Sequence, residues 1–214
     1  MIHTLRISKP AREDEYVRLM EIKERWRPRN LEFKDGTLSM DYTDGRPPVD
    51  IMPVWEAANE AMWLGEVDTH IDVEEYMHHL AVVLNDDSRS GKVLAFIRAN
   101  LVDLTPVRFC HGDLTLYNVI QSQHDLIFID PCGCHGLPCR EMDESKMMQS
   151  LDGFGLIFRG LPQPNLMPRF TFKPAHFALL CSHYVRMLPH VSWHEAAFRF
   201  ANRRIEELTC TRTS

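Results

Sequence analysis

The stretch FCHGDLTLYNVI, Phe109–Ile120, sets a His, an Asp and an Asn at tight intervals between two apolar runs. Asp113 and Asn118 stand five residues apart, too far for one strand face and poorly spaced for one helical turn. A loop that folds back would aim both at one point. Twelve residues after Asn118, a second apolar run, LIFID (126–130), ends in Asp130. The expectation is a loop and a following hairpin that bring three oxygen-bearing side chains together. Asp and Asn in a turn also serve as local caps, hydrogen-bonding their own backbone, and that reading stands beside the chemical one.

The chain around this stretch has 214 residues, of which 44% are hydrophobic and 25% charged, ordinary values for a globular protein. That length suits one domain, or one large lobe carrying a small one. A net charge of −6 and a pI near 6.0 supply no basic field for nucleic acid. The N-terminal MIHTLRISKP lacks the apolar core of a secretory signal, and no run of about 18 apolar residues could span a membrane. Six cysteines in a chain this long do not form a disulfide-dense pattern. A reduced, cytoplasmic protein without nucleic-acid or membrane partners is expected.

Upstream, HTLRIS (3–8) alternates apolar and polar residues and reads as a strand that Pro10 stops. AREDEYVRLMEIKERW (11–26) carries Tyr16, Leu19, Met20, Ile22 and Trp26 at roughly helical spacing. RNLEFKDGTLSMDY (29–42) reads as a hairpin turned at Lys34-Asp35-Gly36, and TDGRPPVD (43–50) as a turn-rich, hinge-like segment. Helices are expected at about 52–64, 72–85 and 90–102, the second with Asp72 as its N-cap. A hairpin over 119–130 follows the loop. Residues from about 141 to 209 read as mostly helical, interrupted by LPQPNLMPRFTFKP (161–174). The order is a small β-rich piece (1–44), a hinge (45–50) and a larger helical piece (51–214) with one hairpin in its middle.

Phosphoryl transfer from a nucleotide needs a carboxylate to orient or deprotonate the acceptor hydroxyl. It also needs hard oxygen ligands that hold Mg²⁺ against the phosphates. Asp113, Asn118 and Asp130 are of those types. Here the sequence resembles the aminoglycoside-phosphotransferase-like branch of the protein-kinase superfamily. HGDLTLYN (111–118) is similar to that branch's catalytic loop, His-Gly-Asp-x-x-x-x-Asn, and IDP (129–131) to its metal-binding motif. The resemblance implies an α+β, protein-kinase-like fold with a small β-rich N-lobe and a larger helical C-lobe. It implies ATP as phosphoryl donor, Mg²⁺ as cofactor and a small-molecule acceptor, with Asp113 as catalytic base and Asn118 and Asp130 as metal ligands. His111 is implied as a buried scaffold that bonds backbone near Asp130. SMDYTDG (39–45) resembles the kinase strand and hinge that bind adenine, which implies the Asp41 carbonyl and the Thr43 amide as partners of the ring and Met40 as the wall behind it. EMDESKMMQSLDGFG (141–155) resembles the family's Asp-Leu-Ala-Lys helix start and puts Asp143 where a carboxylate braces the catalytic loop.

The sequence also departs from that pattern. A kinase N-lobe opens with a Gly-rich hairpin over the phosphates and then a strand whose Lys grips them; here no Gly precedes Gly36. The fold is therefore expected to lack the Gly-rich loop. Arg6 or Lys9 could supply the cation, with Glu15 or Glu21 as its partner; Arg6 is taken as the nucleotide-binding residue, and Lys9 and Glu15 read rather as solvated charge. CGCHGLPC places Cys132, Cys134, His135 and Cys139 within eight residues. Their types suit zinc, but C-x-C-H-x₃-C is not a usual ligand spacing, and reduced thiols flanking the site are expected. The acceptor would enter between the catalytic loop and the helices of 145–205, where His183 and Arg186 are polar candidates. Two other readings remain: nucleotidyl transfer with the same metal ligands, and a non-catalytic, pseudokinase-type binding module.

Overall fold

The apolar–polar alternation near the N-terminus becomes an antiparallel, three-stranded sheet of order β1-β3-β2, formed by β1 (Arg6–Pro10), β2 (Glu32–Lys34) and β3 (Thr37–Asp41). The structure, a computed structural model, describes residues 6–65, 67, 70–85, 87–123, 125–134, 136–160 and 171–210, and of Arg6 only its place in β1. The expected strand at 3–8 thus lies partly outside the described residues. Pro10 does not stop β1 short: it is the last residue, paired with Thr37. Because β1 is an edge strand, the missing N–H costs it no interior ladder bond. Asp35 and Gly36, with φ of 49° and 72°, turn β2 into β3, as a two-residue hairpin loop requires. The helix expected over 11–26 ends early. α1 spans Glu13–Glu21, Ile22 turns extended and fully buried, and the chain resumes as one 3₁₀ turn at Glu24–Trp26.

After β3 the chain crosses to the helical part, and Arg46 forms a two-way backbone bridge with Gln121. α2 (Ile51–Ala58) is capped by Asp50, whose carboxylate accepts from the Met52 amide, and continues as a π-helical turn to Trp63. α3 (Val73–Val83) starts at Asp72, which accepts from the Glu75 amide, and α4 (Ser90–Asn100) follows. The loop at 109–118 closes with a 3₁₀ turn, Leu116–Asn118, and runs into the hairpin β4 (Val119–Gln121) and β5 (Leu126–Phe128). Then come α5 (Arg140–Leu151), α6 (Phe154–Arg159), α7 (Pro174–Val191) and α8 (Glu195–Cys210).

α7 is the axis of this part, packed against α3, α4, α5 and α8. Its Leu179, Leu180, Tyr184 and Val185 join Tyr76, Leu80, Ile97 and Ile205 in the core. α5 is the exception to amphipathic design. Glu141 through Ser150 are all buried, although Glu141, Asp143, Glu144 and Lys146 carry charge. Buried charges are tolerated only when paired, and each of these has a partner. Lys173 and Thr105 bond Glu141, Trp55 and His176 bond Glu144, and Lys146 and Asp143 turn toward the loop at 109–118. Among the described residues, no helix is long and apolar enough to cross a membrane.

Candidate active site

The loop is built on a close backbone crossing. Gly112, at φ 78°, passes the carbonyl of Gly133 so tightly that a Cβ would stand 1.8 Å from its oxygen, so only glycine fits. The His111 carbonyl accepts from the amides of Cys132 and Gly133 at 2.9 and 3.1 Å, which ties the loop to the segment after β5. His111 is fully buried: its Nε2 lies 2.9 Å from the Ile129 carbonyl, and the Asp113 amide lies 3.4 Å from Nδ1. Those partners assign the neutral tautomer protonated on Nε2. Burial lowers the His111 pKa although nearby carboxylates pull it up. The position expected for His111, against backbone beside Asp130, is the one observed.

Asp143, one turn into α5 and fully buried, accepts from the His111 amide at 3.0 Å, the Gly112 amide at 2.8 Å and the Trp63 indole at 3.0 Å. Burial raises its pKa against the pull of His111 and these donors. Lys146 lies three residues on, on the same helix face, and its Nζ stands 2.9 Å from Asp113 Oδ1 and 3.0 Å from Gln149 Oε1. Asn118 Nδ2 donates to the other carboxylate oxygen of Asp113 at 2.8 Å and to its carbonyl at 2.7 Å. Burial pushes the Asp113 carboxyl up, but Lys146, His111 and Asn118 outweigh it and hold the pKa below the ordinary carboxylate value. Asp113 is therefore an unprotonated, oriented carboxylate near neutral pH. It opens on a recess of about 90 Å³ beneath α5 and α6, lined also by Tyr117, Asn118, Gln149, Phe158 and Arg159.

On the other side of the β4–β5 hairpin, Asp130 leaves β5 in a left-handed conformation, φ 55°, which Asp tolerates better than most non-glycine residues. Its carboxylate pairs with Lys9 of β1, and Lys9 reaches Glu15 of α1 at 2.5 Å. Burial lowers the Lys9 pKa, but Asp130 and Glu15 more than offset this and leave it raised. Lys9 and Glu15 are thus a partly exposed ion pair, a strand lysine and a helix glutamate standing beside Asp130. Arg6 was the cation chosen from sequence; its side chain lies outside the described residues. A cleft of about 170 Å³ runs from this ion pair along Met40, Asp41, Tyr42, Thr43, Ile120 and Ile129. Met40, Asp41 and Thr43 therefore share one cleft with Asp130, with isoleucine side chains as an apolar floor. The Ile129 amide donates to the Asn118 carbonyl at 3.0 Å, so the hairpin joins cleft to recess.

The donor types suit Mg²⁺. Both side-chain hydrogen bonds of Asn118 use Nδ2, which leaves Oδ1 for a hard cation, and Asp130 supplies a carboxylate half exposed to solvent. Among the described residues no three His, Cys, Asp or Glu side chains converge on a metal position. An amide oxygen and one carboxylate are nevertheless what Mg²⁺ takes when water and phosphate oxygens complete its shell.

His183 and Arg186 do not line this recess. His183 is fully buried on α7 with Nε2 2.8 Å from Ser145 Oγ, and Arg186 packs by Tyr76 and Cys132. The cysteines are all unpaired; Cys110 and Cys139 are buried, Cys132 and Cys134 partly so, and His135 lies outside the described residues. Sequence reading missed Lys146, Gln149, Tyr117 and Arg159. Lys146 carried a signal: a residue one turn from a loop-bracing Asp143 faces the same loop.

This arrangement is that of a protein-kinase-like fold. Within that class the chain has the fold of the aminoglycoside phosphotransferases. It superposes on the GDP complex of aminoglycoside 2′-phosphotransferase-IIIa with a TM-score of 0.55 at 13% identity, covering 91% of this chain and 82% of that one. It superposes on a thermostable mutant of aminoglycoside phosphotransferase APH(4)-Ia, in ternary complex with ADP and hygromycin B, with a TM-score of 0.55 at 11% identity, covering 94% and 82%. The apo form of the APH(4)-Ia mutant gives 0.55 at 12% identity. No protein-family model and no curated protein matches the sequence.

Proposed function

We propose that the protein is an ATP- and Mg²⁺-dependent phosphotransferase acting on a small hydroxyl compound. The observation that carries this reading is the pairing of Asp113 with Lys146 and Asn118, on a loop that runs into the hairpin closed by the Lys9-paired Asp130. One carboxylate faces a recess and the other an apolar cleft. Fold neighbours in complex with GDP, or with ADP and hygromycin B, support a nucleotide and a small-molecule acceptor as substrates.

In this reading Met40, Ile120 and Ile129 hold the adenine ring, and the backbone of Asp41 and Thr43 offers it hydrogen bonds. Lys9, fixed by Glu15, grips the phosphates. Mg²⁺, held through Asn118 and Asp130, supplies charge neutralisation on the β- and γ-phosphates. Asp113 accepts the proton of the acceptor hydroxyl. The hydroxyl oxygen forms its bond to the γ-phosphorus while the bond from that phosphorus to the β–γ bridging oxygen breaks, and ADP leaves. His111 and Asp143 do not touch the reactants; they position the loop.

The test is Asp130→Asn. An exposed side chain at a hairpin end contributes little to packing, so the melting temperature should hold. Mg²⁺-dependent binding of an ATP analogue, measured by titration with and without the metal, should be lost. Metal-dependent binding equal to that of the parent protein would remove Asp130 from the site. ADP as product separates phosphoryl from nucleotidyl transfer, and nucleotide binding without turnover identifies a pseudokinase.

A further inference from the structure

The recess beneath Asp113 carries a charge and hydrogen-bonding character that selects its occupant. Asp113 is the only carboxylate among its described lining residues, and Lys146 already neutralises it at 2.9 Å. Arg159 at the rim pairs with no carboxylate among the described residues and lies over the Phe158 ring at 5.7 Å. Arg186, next to the lining residue Met187 on α7, adds a further cation. Burial, then Lys146 and Arg186, hold His183 well below its usual pKa. This local excess of cations sits in a chain whose net charge is −6.

The unsatisfied polar atoms point the same way. Gln149 Nε2 is buried without a hydrogen-bond partner, as is Tyr117 Oη. Gln149 Oε1 accepts from Lys146, so the amide presents its N–H donors. Burial raises the Tyr117 pKa, which keeps its O–H a donor. Buried donors without partners are rare in native proteins, and two on one small recess await acceptor atoms.

Resting on the phosphotransferase reading, we propose that the acceptor is an anionic hydroxyl compound. Its hydroxyl meets Asp113, while a carboxylate or phosphate group meets Arg159, Gln149 and Tyr117. A polycationic aminoglycoside, which needs carboxylates to hold its ammonium groups, does not fit this lining. The transfer step is unchanged: the acceptor's proton goes to Asp113 and its oxygen takes the γ-phosphoryl group from ATP, releasing ADP.

The experiment measures binding to the full chain in the presence of Mg²⁺ and a non-hydrolysable ATP analogue. The probes are glucuronate, glucose 1-phosphate, glucose, glucosamine and hygromycin B. Turnover of each with ATP is measured in parallel. Glucuronate or glucose 1-phosphate should bind at least about tenfold more tightly than glucosamine, as for a gained charge-assisted hydrogen bond, and their ranking tells carboxylate from phosphate. Arg159→Gln should cut the anionic-over-neutral ratio about tenfold, and Gln149→Glu, which adds a carboxylate, should move preference toward glucosamine. Tighter binding of glucosamine or hygromycin B, an unchanged ratio in Arg159→Gln, or no binding of either anion overturns the inference. Anion binding that Arg159→Gln weakens, without phosphoryl transfer to any probe, upholds the recess as an anion-selective site and counts against the phosphotransferase reading alone.

Discussion

α1 and α5 each hand one charged side chain to the site, and they do so in opposite ways. Glu15 of α1 pairs with Lys9, with side chains 20% and 38% exposed. Lys146 of α5 pairs with Asp113, with side chains 6% and 36% exposed. Where both partners reach water an ion pair adds little stability and can re-form around an arriving phosphate. Where the lysine itself is buried, the pair fixes geometry and protonation, and removing the carboxylate leaves an uncompensated buried charge. The cleft side is thus built to be adjusted by a ligand, whereas the recess side is set before one arrives.

The sharpest way to break this comparison is Asp113→Asn. If the buried side carries the chemistry, turnover should fall by a factor on the order of 10² to 10⁴, as for a lost general base. Nucleotide affinity should change little, because Asp113 faces the recess. A simple turn cap predicts the reverse, since Asn caps turns about as well as Asp. Unaltered turnover in the variant would sink the catalytic assignment.

Asp143→Ala tests the support beneath it. The substitution strands the His111 and Gly112 amides and the Trp63 indole in a dry interior, so a loss of roughly 3 kcal/mol in a denaturant melt is expected. A change within about 0.5 kcal/mol would show that water or another group satisfies those donors.

Lys146→Met sharpens the electrostatic half of the contrast. Asp113 now has a folded-state pKa below its unfolded value, so it contributes stability above the unfolded pKa that is lost as pH falls through the folded one. Without Lys146, burial becomes the dominant influence and pushes the carboxyl up. The acid limb of the turnover profile should then move to higher pH by about one unit or more. The contribution to stability should also weaken or change sign across the acid range. An acid limb that stays in place would mean that Lys146 is not what keeps Asp113 ionised.

How much of this was legible in the sequence follows the same division. Asp113 and Asn118 were readable because one folded-back loop joins them over a short stretch of chain, and Asp130 because it closes the hairpin that follows, where it lines the cleft rather than the recess. The Asp143 position was readable through its helix start. The helix itself was expected from about 141, but the burial and charge pairing of α5 were not: a helix buried on all sides with charged residues has no hydrophobic period to mark it, and its partners Thr105, Lys173 and His176 come from distant elements. Lys9 was ambiguous because its partner Asp130 lies 121 residues away, a pairing that no local pattern encodes. α1 was overextended because Ile22 and Trp26 continue the apolar spacing, while burial of Ile22 in an extended conformation ends the helix.

The smallest effect is expected at the exposed pair. Glu15→Gln removes one of two carboxylates from Lys9, and Asp130 keeps the ammonium paired. Stability should therefore change by less than about 1 kcal/mol, the ordinary range for an exposed ion pair. The effect on nucleotide should still be measurable, because a lysine no longer fixed by α1 must be ordered by the phosphates themselves. A several-fold weaker affinity for the ATP analogue is expected at unchanged melting temperature, and added salt should narrow the gap between variant and parent. A large drop in melting temperature would mean that the pair is structural after all and that the two sides of the site are built alike. Equal nucleotide affinity in the two proteins would mean that Lys9 does not meet the phosphates, and the strand-lysine assignment would fall.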